Sequence, residues 1–205
     1  MVVSDIEFLL RSPAASWTYE MWERLPNDGN CYEIIDGVLY MATVPSFWHQ
    51  RVVGNLLRDI AYPQEDLGIA IGVMAPIGVV MPGADPVVQP DFLLIRSERR
   101  NIIAEDGRIR GVPDLIAEIL SPSHPNFDTV IKRAAYARAG VPEYWILRPE
   151  SRDILVCSEP DAALEDFTSV RRFTAGSELL SPTLSITVAV AALFEDTLTP
   201  AISTE

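Results

Sequence analysis

Residues 113–120 read PDLIAEIL and residues 87–95 read VVQPDFLLI, and these two stretches decide the fold. Each is a short apolar run with few polar residues, which is typical of a β-strand in the interior of a sheet. In the first run, apolar residues alternate onto both faces, so that Glu118 shares a face with Ile116. In the second run, Pro90 predicts an edge strand or a bulge.

Helical and extended patterns alternate along the rest of the chain. Asp36-Gly37 lies between two β-rich runs and predicts a hairpin turn. Residues 46–63 have apolar positions at helical spacing after the potential cap Ser46, and residues 127–140 predict a helix that ends at Gly140. We therefore expect an α/β fold, a mixed central β-sheet flanked by α-helices.

The length of 205 residues favours one domain. We expect an N-terminal extension at 1–16, the folded domain at 17–195 and a C-terminal tail at 196–205. Two cysteines without a CxxC motif favour a reducing, cytoplasmic compartment. No apolar run reaches the ~18 residues of a membrane span. A net charge of −13 argues against strong non-specific binding to DNA, although it does not exclude a nuclease.

Two carboxylates in the apolar runs are the first candidates for chemistry. A buried Glu118 requires either an ion pair with an arginine or a bound metal ion. Asp91 reads equally well as an ordinary aspartate at the start of a strand. If the two strands are neighbours, Asp91 and Glu118 can together bind Mg²⁺ or Mn²⁺, with the backbone carbonyl of Ile119 as a further ligand.

Lys132 is the only lysine beside fifteen arginines. This composition indicates that the position requires an ammonium group, which can orient or deprotonate a water molecule beside a metal ion. The alternative is a helical ion pair with Asp128, four residues earlier. Asp128, Lys132 and Tyr136 would form a polar stripe on one helix, close to the end of the strand that carries Glu118.

Glu33 and His49 are weaker candidates when each is considered alone. Glu33 precedes the Asp36-Gly37 turn, where a solvated strand residue is common. His49 lies near the start of a predicted helix, where a polar capping residue is common.

The ordered set of these segments resembles the Uma-type endonuclease family, from about residue 17 to about residue 195. The segments are YEIIDGVLYM, SFWHQRVVGNLL, VVQPDFLLI, GVPDLIAEILSPS, the helix with Lys132, and AGVPEYWILRPE. The resemblance implies the restriction-endonuclease-like PD-(D/E)XK fold. It also implies site roles for Glu33, Asp91 and Glu118, with a histidine near the site at His49. Leu120 stands where the superfamily pattern has its lysine, and the resemblance assigns that role to Lys132.

The resulting functional prediction is a Mg²⁺- or Mn²⁺-dependent endonuclease that acts on nucleic acid, with DNA favoured. Asp91 and Glu118 would hold the metal, Lys132 would position water, and Glu33 would assist. His49 and Tyr136 would contact the substrate. Two alternatives remain at this stage, a non-catalytic interaction protein with the nuclease fold and a hydrolase of smaller phosphate esters. The apolar runs EYWIL and 69–81 suggest a homodimer.

Overall fold

The structure is a computed structural model that describes residues 16–26, 28–42, 44–82, 86–121 and 125–197. Its strands are β1 Cys31–Ile35, β2 Val38–Ala42, β3 Ala70–Met74, β4 Val79–Val80, β5 Val87–Val88, β6 Phe92–Arg96, β7 Ile109–Arg110, β8 Leu115–Ile119, β9 Glu143–Arg148, β10 Asp153–Asp161, β11 Asp166–Thr174, β12 Glu178–Leu180 and β13 Thr187–Ala189. Most of the N-terminal extension and of the C-terminal tail lies outside the described residues.

A six-stranded sheet forms the centre of the fold, in the order β11-β10-β9-β8-β6-β3. β8 and β9 are parallel and the other pairs are antiparallel, so the sheet is mixed. A second sheet has the order β2-β1-β5-β4-β7, and β12 pairs with β13. Flanking helices complete the α/β class, which confirms the predicted fold class.

The helices are α1 Tyr19–Trp22, α2 Phe47–Leu56, α3 Tyr62–Asp66, α4 Arg133–Ala139 and α5 Val190–Leu193. A π-helical segment, Leu57–Ala61, joins α2 to α3, and another, Phe127–Lys132, leads into α4. Ser46 caps α2 as expected, because its hydroxyl accepts a hydrogen bond from the N–H of His49 at 3.2 Å. Gly140 ends α4 in the left-handed conformation, with φ 78°.

The interpretation of residues 87–95 as one interrupted strand was wrong. Residues on either side of Pro90 belong to different sheets, since β5 pairs with β1 and β4 whereas β6 pairs with β3 and β8. Proline lacks the N–H that would continue a ladder of hydrogen bonds. The chain therefore crosses from one sheet to the other at this point, directly before Asp91.

Both faces of β8 are buried, as its alternating pattern predicts. Leu115, Ala117 and Ile119 pack in the cluster that includes Val52, Val53 and Leu56 of α2. Ile116 packs on the opposite face in the cluster that includes Ala135 and Tyr136 of α4. Helices therefore cover the sheet on each side of the strand that carries Glu118.

The strand EYWIL lies inside the protein and cannot provide a dimer surface. β9 is flanked by β8 and β10, and its five residues from Glu143 to Leu147 are fully buried. Ile69 and Met74 in the other apolar run are exposed, at one edge of the sheet. None of the helices among the described residues combines the length and apolar composition needed to cross a bilayer.

Asp153 provides a test of what holds β9, β10 and β11 together. Its fully buried carboxylate accepts hydrogen bonds from Arg148 at 2.6 and 2.8 Å and from Arg172 at 2.6 Å. We expect Asp153→Asn to lower the free energy of unfolding by about 1–3 kcal/mol, because charge-assisted bonds are lost while both arginines remain partly hydrated. Urea denaturation measures this difference.

The stabilisation that the Asp153 carboxylate provides is expected to depend on pH. Burial favours a raised pKa for the Asp153 carboxyl, but hydrogen bonds from Arg148, Ser151 and Arg172 outweigh it and lower the pKa. The stabilisation is therefore present above the unfolded pKa of about 3.9 and is lost as the pH falls through the lower folded value. Asp166→Asn, at a half-exposed ion pair, should change stability by less than about 0.5 kcal/mol. Equal stability of wild type and Asp153→Asn at neutral pH would contradict the prediction.

Candidate active site

The two sheet carboxylates predicted from the sequence lie side by side. β6 and β8 are antiparallel neighbours with Phe92 opposite Ala117, which places Asp91 beside Glu118 at the next position of the register. The backbone N–H of Asp91 lies 3.3 Å from Glu118 Oε2, a long hydrogen bond. Because an aspartate carboxylate lies within one side-chain length of its own backbone nitrogen, both carboxylates are within reach of a single ion.

Asp91 is held by a strand and by a helix. Its Oδ2 accepts a hydrogen bond from the backbone N–H of Ile119 at 2.8 Å and lies 3.0 Å from Nε2 of His49 at the start of α2. Burial favours a raised pKa for the Asp91 carboxyl, but the hydrogen bond and charge of His49 and the charge of Lys132 lower it below the usual value. Asp91 is therefore ionised at neutral pH.

Glu118 is more deeply buried than Asp91, and two side chains from the helical residues 127–139 hold it. Its Oε1 accepts hydrogen bonds from Lys132 Nζ at 2.9 Å and from the hydroxyl of Tyr136 at 2.6 Å. Burial raises the pKa of the Glu118 carboxyl well above its usual value, Lys132 opposes this shift, and Asp91 adds to it. The environment of Glu118 thus disfavours an additional negative charge and favours an added cation.

Lys132 joins the carboxylates of both sheets. Its Nζ lies 3.1 Å from Oε1 of Glu33 in β1 and 4.0 Å from Oδ1 of Asp128, in addition to its bond with Glu118. Burial favours a lowered pKa for Lys132, but Glu118, Glu33 and Asp128 together raise it well above its usual value. Lys132 is therefore a protonated donor.

The geometry of the helix explains why Lys132 and Tyr136 meet the same oxygen. Residues Phe127–Lys132 form a π-helical segment, whereas Arg133–Ala139 form an α-helix. A π-helical segment contains an extra residue per turn, which changes the direction of the side chains that follow, and such segments occur frequently at functional sites. Lys132 and Tyr136 are four residues apart, so both side chains lie on one face of this helix and reach the same oxygen of Glu118.

A family model described as "Putative restriction endonuclease", the Uma2 family, matches residues 19–191. The chain belongs to the Uma2 family. The crystal structure of "a putative nuclease belonging to DUF820" from Anabaena variabilis ATCC 29413 is similar to this fold, with a TM-score of 0.73 and 18% sequence identity. The match covers 89% of this chain and 99% of that chain. No curated protein sequence matches the chain.

The Uma2 resemblance inferred from the sequence is thus confirmed, and the structure brings all of its candidate residues together. Glu33, His49, Asp91, Glu118, Lys132 and Tyr136 form one connected cluster of hydrogen bonds and ion pairs, to which Ile119 contributes its backbone. The contact observed for Ile119 uses its N–H rather than the carbonyl that was predicted as a ligand.

Three further residues border the candidate site. Gln89 and Cys31 were not among the sequence candidates, and Asp128 was predicted only as part of the polar stripe that contains Lys132. Asp128 borders Lys132, and burial raises the pKa of its carboxyl to about 7. The backbone N–H of Gln89 donates to Glu33 at 2.7 Å. Cys31 is half-buried and interacts electrostatically with Glu33 and Asp91, and burial raises the pKa of its thiol. The alternation of β1, which places Cys31 and Glu33 on one face, was the signal for the cysteine.

The carboxylates of the candidate site suit a Mg²⁺ or Mn²⁺ ion that keeps several of its waters. They suit less well an ion that is coordinated by protein ligands alone. Within the described ranges, no three His, Cys, Asp or Glu side chains form a ready-made metal site. Mg²⁺ commonly binds one or two carboxylates and keeps several waters, which is what Asp91 and Glu118 allow. The carboxyl groups of Glu33, Asp91, Glu118 and Asp128 lie around the ammonium group of Lys132, and repulsion between them contributes to the raised pKa values of Glu118 and Asp128. A divalent cation would relieve this repulsion.

Proposed function

We propose that this Uma2 protein is a Mg²⁺- or Mn²⁺-dependent endonuclease that hydrolyses phosphodiester bonds in DNA. One observation carries the proposal: Asp91 lies beside Glu118 on the neighbouring strand, and Glu118 accepts a hydrogen bond at 2.9 Å from Lys132, which comes from a separate element of the fold. The description of the family and of the similar solved structure supports the same reaction class.

Asp91 and Glu118 would hold the metal ion, with the carbonyl of Ile119 as a further ligand. When bound, the ion supplies Lewis acidity to the phosphate and lowers the pKa of water. His49 orients Asp91 through the 3.0 Å contact, and the N–H of Ile119 holds the same oxygen. These contacts keep the carboxylate aimed at the site before substrate arrives, which reduces the cost of ordering it during the reaction.

Lys132 would act as a positively charged donor throughout the reaction. Its neighbours keep it protonated, so it can hydrogen-bond the attacking water or a phosphate oxygen and stabilise the charge that develops there. Glu33 and Tyr136 restrict the positions that Lys132 and Glu118 can adopt. The sequence suggested that Tyr136 contacts the substrate. Because Tyr136 is fully buried and its hydroxyl donates to Glu118, its role here is to position that carboxylate.

Cleavage of circular DNA is the test of this function. A circle has no ends, so its conversion to a linear molecule demonstrates endonuclease action. We expect the purified protein to cut single-stranded circles or supercoiled plasmid in Mg²⁺ or Mn²⁺, and EDTA to lower the rate by roughly 10³-fold, because the ion contributes several kcal/mol. RNA circles test the preference for DNA. Absence of cleavage with both ions on all three substrates would contradict the proposal.

The second candidate is a non-catalytic interaction protein with the nuclease fold. Two observations favour it: the net charge of −13, and the ion pairs of Lys132, which partly satisfy the acidic cluster without a metal. Titration calorimetry with Mg²⁺ and Mn²⁺ distinguishes the two candidates, because only the enzyme requires a cation that binds through Asp91.

The proposal includes a reducing, cytoplasmic location and a homodimer. Cys31 and Cys157 are both free thiols, which supports the compartment. The exposed side chains of Ile69 and Met74 support a contact between two copies along the edge formed by β3. Neither is required for the chemistry at Asp91.

A further inference from the structure

Gln89 joins the segment before Asp91 to the second sheet. Its backbone N–H donates to Glu33 Oε1 at 2.7 Å, and its side-chain Nε2 donates to the backbone carbonyl of Tyr32 at 3.0 Å. Tyr32 and Glu33 are consecutive residues of β1. Gln89 is half-buried and lies two residues before Asp91, and both its backbone and its side chain hold it to β1.

Both bonds lie where the regular pairing of β1 and β5 ends. Ile34 of β1 pairs with Val87 of β5. The same register places Gln89, one residue beyond the end of β5, opposite Tyr32. In a hydrogen-bonded antiparallel pair, the two facing residues exchange backbone N–H···O bonds. Here the side-chain amide of Gln89 bonds the facing carbonyl, and its backbone N–H bonds Glu33 instead.

Pro90 transmits this anchor to Asp91. The pyrrolidine ring fixes φ of Pro90 at about −65° and restricts the preceding residue, Gln89, to extended conformations. Pro90 is itself buried. The segment from Gln89 to Asp91 therefore has few free torsions, and a displacement of Gln89 moves the backbone of Asp91.

The oxygen that accepts the N–H of Gln89 also faces Lys132. Oε1 of Glu33 lies 3.1 Å from Lys132 Nζ, and the Glu33 side chain is only 3% exposed. Two donors restrict the position of a buried carboxylate oxygen more than one donor does. The bond from Gln89 thus fixes Glu33 beside Lys132, and the same residue fixes Asp91 through Pro90.

We propose that Gln89 is a positioning residue for the metal ligand Asp91, through its side-chain bond to Tyr32. Without that bond, the backbone N–H of residue 89 is free to move to the carbonyl of Tyr32 and to leave Glu33. Asp91 is then less ordered before a metal ion arrives, and binding of the ion has to restore the order. The inference rests on the proposed metal-dependent function and gives a residue outside the ligand set a role in metal binding.

Titration calorimetry with Mn²⁺ tests this role without substrate. Gln89→Met removes the side-chain donor at similar length, and we expect it to weaken Mn²⁺ binding by about 3- to 30-fold, less than the loss of a direct ligand. Gln89→Glu also removes the donor but adds a negative charge. It should weaken binding too, whereas a purely electrostatic effect of residue 89 would strengthen it. At saturating Mn²⁺, DNA cleavage by Gln89→Met should return to within a few-fold of wild type, because the bound ion restores the position of Asp91.

Hydrogen exchange in the metal-free protein gives a second readout. The N–H of Ile119 bonds Asp91 Oδ2 at 2.8 Å, and the next N–H, that of Leu120, bonds the carbonyl of Leu147 at 2.9 Å. We expect Gln89→Met to accelerate exchange at Ile119 by about 3- to 10-fold more than at Leu120. General destabilisation would instead accelerate exchange of both amides equally.

A matched control is Gln64→Met, the same replacement at a buried glutamine of α3. It should leave the Mn²⁺ affinity and the ratio of the two exchange rates unchanged. Wild-type Mn²⁺ affinity of Gln89→Met, stronger binding by Gln89→Glu, or equal acceleration at Ile119 and Leu120 would overturn the inference, even if the wild-type protein cuts DNA. Weakened Mn²⁺ binding by Gln89→Met in a protein that cuts no DNA would support the inference while the nuclease function fails.

Discussion

Lys132→Met is expected to lower the single-turnover rate of DNA cleavage by about 10²- to 10⁴-fold and to destabilise the metal-free protein by about 3–5 kcal/mol. The rate falls because the donor beside the reacting phosphate is lost. The stability falls because Glu33 and Glu118 remain buried after their shared cation has been removed. Rate measurements at saturating metal, together with urea denaturation in EDTA, determine the two effects.

A matched control for this variant is Arg133→Met. Arg133 is the adjacent residue of the same helix, but it pairs with the half-exposed Asp166 and not with the buried cluster. It should change stability by no more than about 1 kcal/mol and leave the rate within a few-fold of wild type. Mg²⁺ should return part of the stability lost in Lys132→Met, since a cation beside Glu118 replaces the missing charge. Wild-type cleavage by Lys132→Met would remove this residue from the mechanism.

Asp91→Asn is expected to weaken the binding of Mg²⁺ and Mn²⁺ by more than about 100-fold and to abolish detectable cleavage. Loss of an outer-shell partner alone costs 10- to 100-fold in metal affinity, and loss of a direct ligand costs more. Asparagine keeps an acceptor for the N–H of Ile119, so the fold around β6 and β8 should be retained. Isothermal titration calorimetry measures the affinity, and circular dichroism monitors the fold.

The chain contains a natural control for Asp91, because Pro-Asp pairs also occur at Pro113-Asp114 and Pro160-Asp161, and the first of these lies directly before β8. The carboxylate of Asp114 accepts a hydrogen bond from Arg99 at 2.6 Å and another from the backbone N–H of Arg96 at 2.9 Å, so its partners lie outside the acidic cluster. Asp114→Asn should therefore leave metal affinity unchanged, although it can reduce stability. If metal binding survives in Asp91→Asn at wild-type strength, the ion binds elsewhere and the non-catalytic alternative gains support.

Local patterns predicted most elements of the fold. Alternation in PDLIAEIL placed Glu118 and Ile116 on one face of a buried strand, the Asp36-Gly37 pair predicted the hairpin, and Gly140 marked the end of a helix. Each of these depends on backbone geometry within a few residues, which is why a sequence can reveal it. The same reasoning failed at Pro90, because proline interrupts pairing without indicating that the strands on either side join different sheets.

The candidate site was only partly predictable from the residues. The solitary Lys132 and the two carboxylates in apolar runs were visible as unusual features, and the family resemblance added Glu33 and His49. Asp128 was recognised as a neighbour of Lys132 on the helix but not as part of the acidic cluster. Its raised pKa depends on burial and on charges from other elements, which no local pattern records.

The sequence by itself determined the class of the fold, the face of β8 that carries Glu118, and the presence of one distinctive ammonium group at Lys132. The tertiary structure alone decided that Lys132 is shared by Glu33 and Glu118, and that the carboxylate of Asp128 is buried beside it. The reason is physical: secondary structure follows from repeats of two or 3.6 residues, whereas charge pairing and burial depend on distances between segments far apart in the chain.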